Sequence, residues 1–501
     1  MRIKNERMHW ADAIAQELAG KKHVIATGIT PSGPIHIGNM REVITGDLIY
    51  RAIKDAGGDA TLVYIADNLD PLRKRYPFLG KEYEKYVGMP LCDIPCPCGE
   101  CENYAEHFLK PFLKSLEKLD IHPIIYRSDE LYTHGKFDEV IKIAIQSTER
   151  IAKILKETSG RDVPEGWSPF MPKCPFCGKL TTTRVLDFSD MVEFECECGE
   201  EGKVGIREGK LVWRVDWPAR WKVLNVTVEP FGKDHAAAGG SYDTGARISR
   251  EIYGYEPPHP VVYEWITLKG KPMSSSKGVS VTVEDMLKVV PPDILRYMIV
   301  RVKPEKHIDF DPQITLLQLV DEFEELDRGS REYELSHVEL QADIPFRHMI
   351  TVVQIAKNDD QIFEVLERSG YKVDRSDKRQ VEAVLSLASN AREWVKMYAP
   401  ERMKFEVKER VDVKFDEKER EGLRRLAELF EKREMDAKEV HDSIYRVANE
   451  IGMKPSKLFE AIYKVFLGKK YGPRAGWFLV SLPRNFVIQR LKESQEGNNE
   501  S

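Results

Sequence analysis

The sequence predicts an α/β fold: a parallel sheet with two cysteine-bearing insertions, followed by an all-helical C-terminal part. Three observations predict it. Near the N-terminus a strand, a glycine-bearing turn, a helix and a second strand follow one another, the βαβ order of a parallel sheet. Cysteines gather at residues 92–101 and again at 174–198, and strand-like sequence resumes after them. From about Asp311 onward the hydrophobic period is helical almost throughout.

The elements follow in order. HVIATG (residues 23–28) is a short apolar run ending in glycine, a buried strand. Residues 40–56 are helical, with Met40, Val43, Ile44 and Leu48 on one face, and Gly57 and Gly58 stop them. ATLVYIAD (60–67) is again strand-like. After the second cysteine group, residues 224–228 and VVYEWITL (261–268) are expected strands around a helix at 242–254. The C-terminal part carries three apolar stripes: Leu423, Leu426, Ala427 and Phe430; Val440, Ile444, Val447 and Ala448; Leu458, Ile462, Val465 and Phe466. Asp416 with Glu419, and Asp436 with Glu439, have capping-box spacing. The tail KESQEGNNES is polar and expected to be disordered.

Composition narrows the class. The 501 residues suggest about three domains. Hydrophobic residues make up 42%, enough for packed cores, and the 32% that are charged are largely Lys and Glu interleaved on helices. The net charge of −6 gives no global basic character, although a local basic face remains compatible with it. No apolar run approaches the ~20 residues of a membrane helix. MRIKNERMHW lacks the apolar region of a secretory signal, so a cytoplasmic protein is expected, with its eight cysteines as thiols or metal ligands.

Cys174-x-x-Cys177 with Cys196-x-Cys198 is the sharpest local signal. Two close pairs flanking a β-rich segment spell a Cys₄ zinc ribbon, and four thiolates favour a closed structural site over a catalytic one. In the first group Cys92, Cys96, Cys98, Cys101 and His107 compete for four places. Cys96, Cys98, Cys101 and His107 would close a Cys₃His site and leave Cys92 as a buried thiol. Simple packing of one or more of these residues is the alternative.

TPSGPIHIGN (residues 30–39) stands between the first strand and its helix. The helix start directs free N–H groups at the crevice beyond the strand ends, where ligands of open α/β sheets bind. Gly28, Gly33 and Gly38 remove side chains there, and His36 and Asn39 can donate to phosphate oxygens. Far along the chain, KGKPMSSSKGVSV (269–281) is a small, hydroxyl-rich loop carrying Lys277, suited to closing on polyphosphate. Alone, each stretch reads as an ordinary turn.

Together they resemble the paired signatures of class I aminoacyl-tRNA synthetases: His36-Ile37-Gly38-Asn39 for the "HIGH" motif and Met273-Ser274-Ser275-Ser276-Lys277 for "KMSKS". Asn39 replaces the final histidine, and Pro272 separates Lys271 from Met273, which makes Lys277 the lysine to watch. With FGKDHAAAGGSYD, IADNLDPLRK and WRVDWPARW, nearly the whole chain resembles the archaeal-type class I lysyl-tRNA synthetases.

The resemblance implies a Rossmann-like catalytic domain over residues 1–310, with zinc-binding insertions at about 85–115 and 165–210, and a helical anticodon-binding domain over 311–501. It implies ATP as substrate, with Mg²⁺ on its phosphates, and lysine and tRNA(Lys) as partners. One zinc is expected at the Cys₄ site and a second is possible at the first cluster; a monomer is the expected form. His36, Asn39 and Lys277 would be catalytic. ATP would lie against Pro31, Ser32, Gly33, His36, Gly38, Asn39, Gly232, Asp234, Met273, Ser274, Ser275, Ser276 and Lys277. Lysine would meet Gly28, Thr30, Trp213, His235 and Tyr263, and Asp67, ending a strand at the crevice, is a carboxylate that could pair with its charge. For Trp213, Trp217 and Trp221, core packing is the competing reading. In the helical part Lys469, Lys470 and Arg474 would meet phosphates, and Trp477 and Phe478 would stack on bases or simply pack. Rivals are a class I synthetase for glutamate or glutamine, a non-catalytic tRNA-binding relative, and a much shorter adenylyltransferase of the pantothenate synthetase kind.

Overall fold

Strand β1 (Lys22–Ile29) pairs in parallel with β2 (Asp59–Ala66) over its whole length, from Lys22 opposite Asp59 to Ile29 opposite Ala66. Helix α1 (Ile37–Asp55) makes the crossover between them and stops at Gly57, which takes the left-handed conformation. The structure, a computed structural model, describes residues 8–273, 281–313, 315–338, 342–409 and 413–493. By contact the chain divides into two compact units: Met1–Met286 with Leu295–Asp311 and Asp327–Ser336, and Leu287–Ile294 with Pro312–Leu326 and His337–Ser501.

The first unit holds the expected parallel sheet. β3 (Ile124–Arg127) extends it beyond β2, while β9 (Val228–Gly232) lies on the other side of β1 and carries β10 (His259–Tyr263) at the edge. All neighbours are parallel. Ile25, Ala26, Thr27 and Leu62–Ala66 are buried, the near-continuous burial of strands covered on both faces. The chain adds strands on one side of β1 and later on the other, which opens a crevice beyond the carboxyl ends of β1 and β9.

Two expected strands are corrected. Residues 224–228 are not one strand: Leu224 ends a helix, Trp213–Leu224, and the strand begins at Val228. Residues 261–268 form two strands. β10 ends at Tyr263, and β11 (Ile266–Leu268) joins a separate small sheet between β12 (Lys271–Pro272) and β13 (Ile308–Phe310). The break is where Arg41, on α1, donates to the carbonyls of Glu264 and Trp265, at 2.5 and 3.3 Å, while the Trp265 carbonyl also accepts the Ile308 N–H of β13. The same guanidinium reaches the carbonyls of Lys303, Pro304 and Lys306.

The insertion between β2 and β3 gathers Leu72, Tyr76, Leu79, Tyr83, Leu91, Ile94 and Tyr104 into a small core of its own. The later insertion pairs β4 (Phe170–Pro172) with β8 (Gly209–Leu211) and carries an antiparallel sheet of β5 (Thr183–Phe188), β6 (Val192–Cys196) and β7 (Glu201–Val204).

The second unit is helical among its described residues. The three apolar stripes lie on helices Glu417–Lys432, Ala437–Glu450 and Pro455–Leu467 and converge in one core. Both expected capping boxes form, Asp416 with Glu419 and Asp436 with Glu439. No helix among the described residues is long and apolar enough to cross a membrane.

Candidate active site and cysteine centres

The crevice beyond β1, β9 and β10 is a cavity of about 600 Å³. His36 caps α1: its Nδ1 accepts the Asn39 backbone N–H at 3.3 Å, while Asn39 Oδ1 accepts the His36 N–H at 3.2 Å. The signature is thus itself a capping box, with imidazole in the place of a hydroxyl. Burial lowers the His36 pKa to about 4, so the ring is neutral. With Nδ1 accepting, the hydrogen bonding assigns the ring proton to Nε2.

The glycines have local reasons first. A Cβ on Gly28 would stand 2.9 Å from the Ile65 carbonyl on β2, and one on Gly38 would stand 2.9 Å from the His36 ring. Gly38 therefore makes room for the capping imidazole.

Of the residues the sequence singled out, Gly28, Thr30, Ser32, His36, Gly38, Asn39, Trp213, Gly232, Asp234, His235, Tyr263 and Met273 line this one cavity. Pro31 and Gly33 are buried and do not line it. Ser274, Ser275, Ser276 and Lys277 lie outside the described residues. The flanks of that stretch are informative. Met273 lines the cavity, and on the other side Val281 accepts from Ile37 N–H, Val283 N–H donates to Ile35, and Thr282 bridges His36. The described residues on either side of that stretch, Met273 and Val281, therefore stand beside the first signature.

Asp67 is a correction. Its carboxylate faces inward, 2% exposed, where burial would raise its pKa but Arg220 and Lys210 hold it below the usual range. Lys210, on β8, lies 3.2 Å from Asp67 and 2.5 Å from Asp70, and Arg220 also pairs with Asp216. Asp70 in turn accepts from Thr30 Oγ1 at 2.9 Å, which ties the buried cluster to the cavity wall. Asp67 is thus committed to internal cations and does not line the cavity.

Sequence reasoning missed Glu42. On the second turn of α1, it accepts the Gly28 N–H at 2.8 Å and the Tyr263 hydroxyl at 3.0 Å, and it lines the cavity. Burial, with Glu229 adding to it, raises its pKa to about 8. Trp217 and Trp221 are buried and donate both indole N–H groups to Glu229, so packing describes them. Trp213 differs: it is half-buried, stacked on Trp217 and 5.3 Å from the His235 ring at the cavity wall.

Both cysteine groups close into clusters that could hold a metal ion. Cys96, Cys98, Cys101 and His107 present ligand atoms within 4.8 Å of one another, and so do Cys174, Cys177, Cys196 and Cys198. In the second, Cys174–Cys198 and Cys177–Cys196 sulfurs are each 3.7 Å apart. Four sulfurs at about 2.3 Å from a tetrahedral ion stand about 3.8 Å from one another, so the spacing fits. Cys92 stays outside the first cluster, with burial raising its thiol pKa.

The helical unit has a cavity of about 290 Å³ lined by His348, Tyr371, Trp477, Arg347, Arg402 and Arg474 among others. His348 stacks on Tyr371 at 5.2 Å and is 4.8 Å from Trp477. Phe478 is fully buried, so packing describes it, and Lys469 donates to the Lys404 carbonyl.

A parallel sheet whose order of strand addition reverses at a crevice, with a histidine-capped helix on one lip and the flanks of the second stretch beside it, is the layout in which open α/β folds bind their ligands. The family model described as "tRNA synthetases class I (K)" matches residues 8–350, and the chain belongs to that family. Its curated relatives narrow this further. The chain is 52% identical over 494 residues to a protein of Archaeoglobus fulgidus named lysine–tRNA ligase, covering 97% of this chain and 99% of the relative. It is 50% identical over 531 residues to a lysine–tRNA ligase of Methanosarcina barkeri, with 98% of each chain covered. A third, from Methanocaldococcus jannaschii, is 44% identical over 526 residues, covering 96% of this chain and 99% of the relative.

Proposed function

We infer that this chain is a lysine–tRNA ligase, which activates lysine with ATP and passes it to the 3′-terminal adenosine of tRNA(Lys). One observation carries the reading: likeness at 52% identity to a relative of that name runs over nearly the whole of both chains. It therefore covers the crevice, the cysteine insertions and the helical unit together.

In the first step the lysine carboxylate attacks the α-phosphorus of ATP. A phosphorus–oxygen bond forms to the carboxylate, the bond to the β-phosphate oxygen breaks, and pyrophosphate leaves with the electron pair. The nucleophile is already an anion, so the step needs in-line placement and charge stabilisation and no strong base. Neutral His36 offers its Nε2–H, Asn39 its side-chain amide and α1 its free N–H groups. Lys277 is the cation for the departing pyrophosphate, and Mg²⁺ accompanying ATP would supply further charge neutralisation on the phosphates. Thr30, Trp213, His235 and Tyr263 form the lysine side of the cavity. In the second step the 2′-hydroxyl of the terminal ribose attacks the acyl carbon, the bond from that carbon to the AMP phosphate oxygen breaks, and AMP leaves with the electron pair while the hydroxyl proton passes to the departing phosphate.

Zn²⁺ is the metal that suits both cysteine clusters. The four-thiolate set of Cys174, Cys177, Cys196 and Cys198 leaves no open position for chemistry and staples an insertion with little core of its own. The helical unit holds the anticodon, with the cavity at His348, Tyr371 and Trp477 offering stacking surfaces and Arg347, Arg402 and Arg474 around it.

The test is amino-acid-dependent ATP–pyrophosphate exchange with each of the twenty amino acids. Lysine alone should support it. Exchange with glutamate or glutamine instead would transfer the chain to another member of the class, and none with any would leave a non-catalytic relative.

A further inference from the structure

We propose that a strip formed by Arg73, Lys74, Tyr76 and Phe78, in the insertion after β2, is the track along which the unpaired 3′ strand of the tRNA enters the cavity, a base stacking on Phe78 and the phosphates lying against the two cations. The proposal rests on the ligase reading above.

The argument begins with what the transfer step requires. The terminal ribose has to enter a cavity of about 600 Å³, which has no room for a duplex. The last nucleotides must therefore arrive as a single strand. Such a strand offers bare base faces and phosphates, and proteins that hold one set aromatic rings and cations side by side.

The strip has both. Arg73 and Tyr76 line the cavity. Phe78 lies nearly parallel to Tyr76, with ring centroids 5.5 Å apart and planes inclined by 14°. Phe78 leads outward: it is 41% exposed, although Leu72, Tyr76 and Leu79 around it are buried. The rings thus run from the cavity wall to the surface. Charge follows the same course. Arg75 is paired with Glu84, but Arg73 and Lys74 are exposed and have no carboxylate partner among the described residues. Lys74 Nζ stands 5.9 Å from the centre of the Tyr76 ring. A ring that only packed would be covered; an uncovered ring beside two unpaired cations suits a nucleic-acid strand.

The strip is also fixed in place. Leu72 N–H donates to the Met89 carbonyl at 2.9 Å, and the Leu72 carbonyl accepts the Gly88 N–H at 2.8 Å. Phe108 meets Phe78 edge-on at 5.6 Å and packs against His107 of the first cysteine cluster at 4.7 Å. From the same helix, Tyr104–Lys118, the Tyr104 hydroxyl donates to the Ser32 carbonyl at 2.7 Å. That helix thus links the first cysteine cluster, the strip and the stretch that carries His36.

The experiment measures the affinity of the full-length protein for intact tRNA(Lys) and for the same tRNA lacking its unpaired 3′ nucleotides. The wild type, Phe78→Ala, Phe78→Trp and Lys74→Ala are compared. The wild type should prefer the intact RNA. Phe78→Ala should weaken the intact RNA about tenfold and leave the truncated one within about twofold, whereas Phe78→Trp, which keeps a stacking face, should bind as the wild type does. Lys74→Ala should also weaken only the intact RNA, and should lower the slope of log affinity against log salt by about 0.7, the share of one single-strand phosphate contact. Equal losses on both RNAs, no loss on either, or a wild type indifferent to the 3′ strand would overturn the proposal. The ligase reading fails separately, if the wild type does not charge tRNA(Lys) with lysine.

Discussion

Lys210 Nζ and Asp70 Oδ1 stand 2.5 Å apart, both buried, although 140 residues separate them. Lys210 belongs to the strand pair that carries the Cys₄ knuckle, since Cys174 stands two residues after the end of β4, the partner of β8. Asp70 holds Thr30 at the cavity wall. The cysteine insertion thus reaches the Thr30 wall of the crevice through the Lys210–Asp70 ion pair.

Lys210→Met should therefore be expensive. It leaves Asp67, Asp70 and Asp216 to share Arg220 alone. Removing one member of a buried ion cluster costs about 3–5 kcal/mol. Urea denaturation should show a loss of that size, and any folded variant should show a raised KM for lysine with the KM for ATP little changed.

His36→Asn separates capping from chemistry. Asparagine is a good helix N-cap, so the melting temperature should stay within a few degrees, whereas His36→Ala should lose about 1 kcal/mol. Both variants lack the imidazole donor, and both should slow pyrophosphate exchange by about 10²–10³-fold. A melting curve and an exchange assay on the two variants decide it.

The same residue makes a pH prediction. Its pKa is lowered from 6.5 to about 4 by burial. The folded protein keeps this ring neutral where the unfolded chain would protonate it, so His36 costs stability as pH falls below 6.5 and the cost levels off near 4. His36→Asn should be less acid-sensitive than the wild type in thermal melts between pH 6.5 and 4. No limb near pH 6.5 in the exchange rate should belong to His36.

Glu42 carries the opposite sign. Its pKa is raised from 4.5 to about 8, so the folded protein retains a proton that the unfolded chain releases. Stability from this group is full below 4.5 and is lost as pH rises through 8. Glu42→Gln should melt at least as high as the wild type at pH 8 and gain nothing at pH 4.5.

Under the proposed leaving-group role, Lys277→Ala should slow lysine activation much more than it weakens lysine binding. Pre-steady-state exchange and equilibrium lysine binding measure the two. Equal losses would remove the leaving-group role.

How much of this was legible in sequence depended on how local the cause was. The βαβ unit, the three helical stripes and both capping boxes are set by periodicity and spacing within a few turns. The cysteine pairs declared themselves by spacing as well. Asp67 misled because a strand-end acid at a crevice looks available, and the cations that claim it arrive 143 and 153 residues later. Glu42 passed unnoticed because an acid in the stretch NMREVITG reads as a solvated helix position; the Gly28 N–H and the Tyr263 hydroxyl, 221 residues on, hold it inward. The one usable hint was Arg41 and Asp47 in the same helix, charges that sit too close to the apolar stripe to reach water and are both buried.

Arg41 fastens its helix to two distant turns entirely through backbone carbonyls, those of Glu264, Trp265, Lys303, Pro304 and Lys306. Every residue type supplies a carbonyl, so the side chains at those five positions are free to drift without loosening the joint. The dependence is one-sided: a single arginine is irreplaceable, and the stretches it grips are interchangeable.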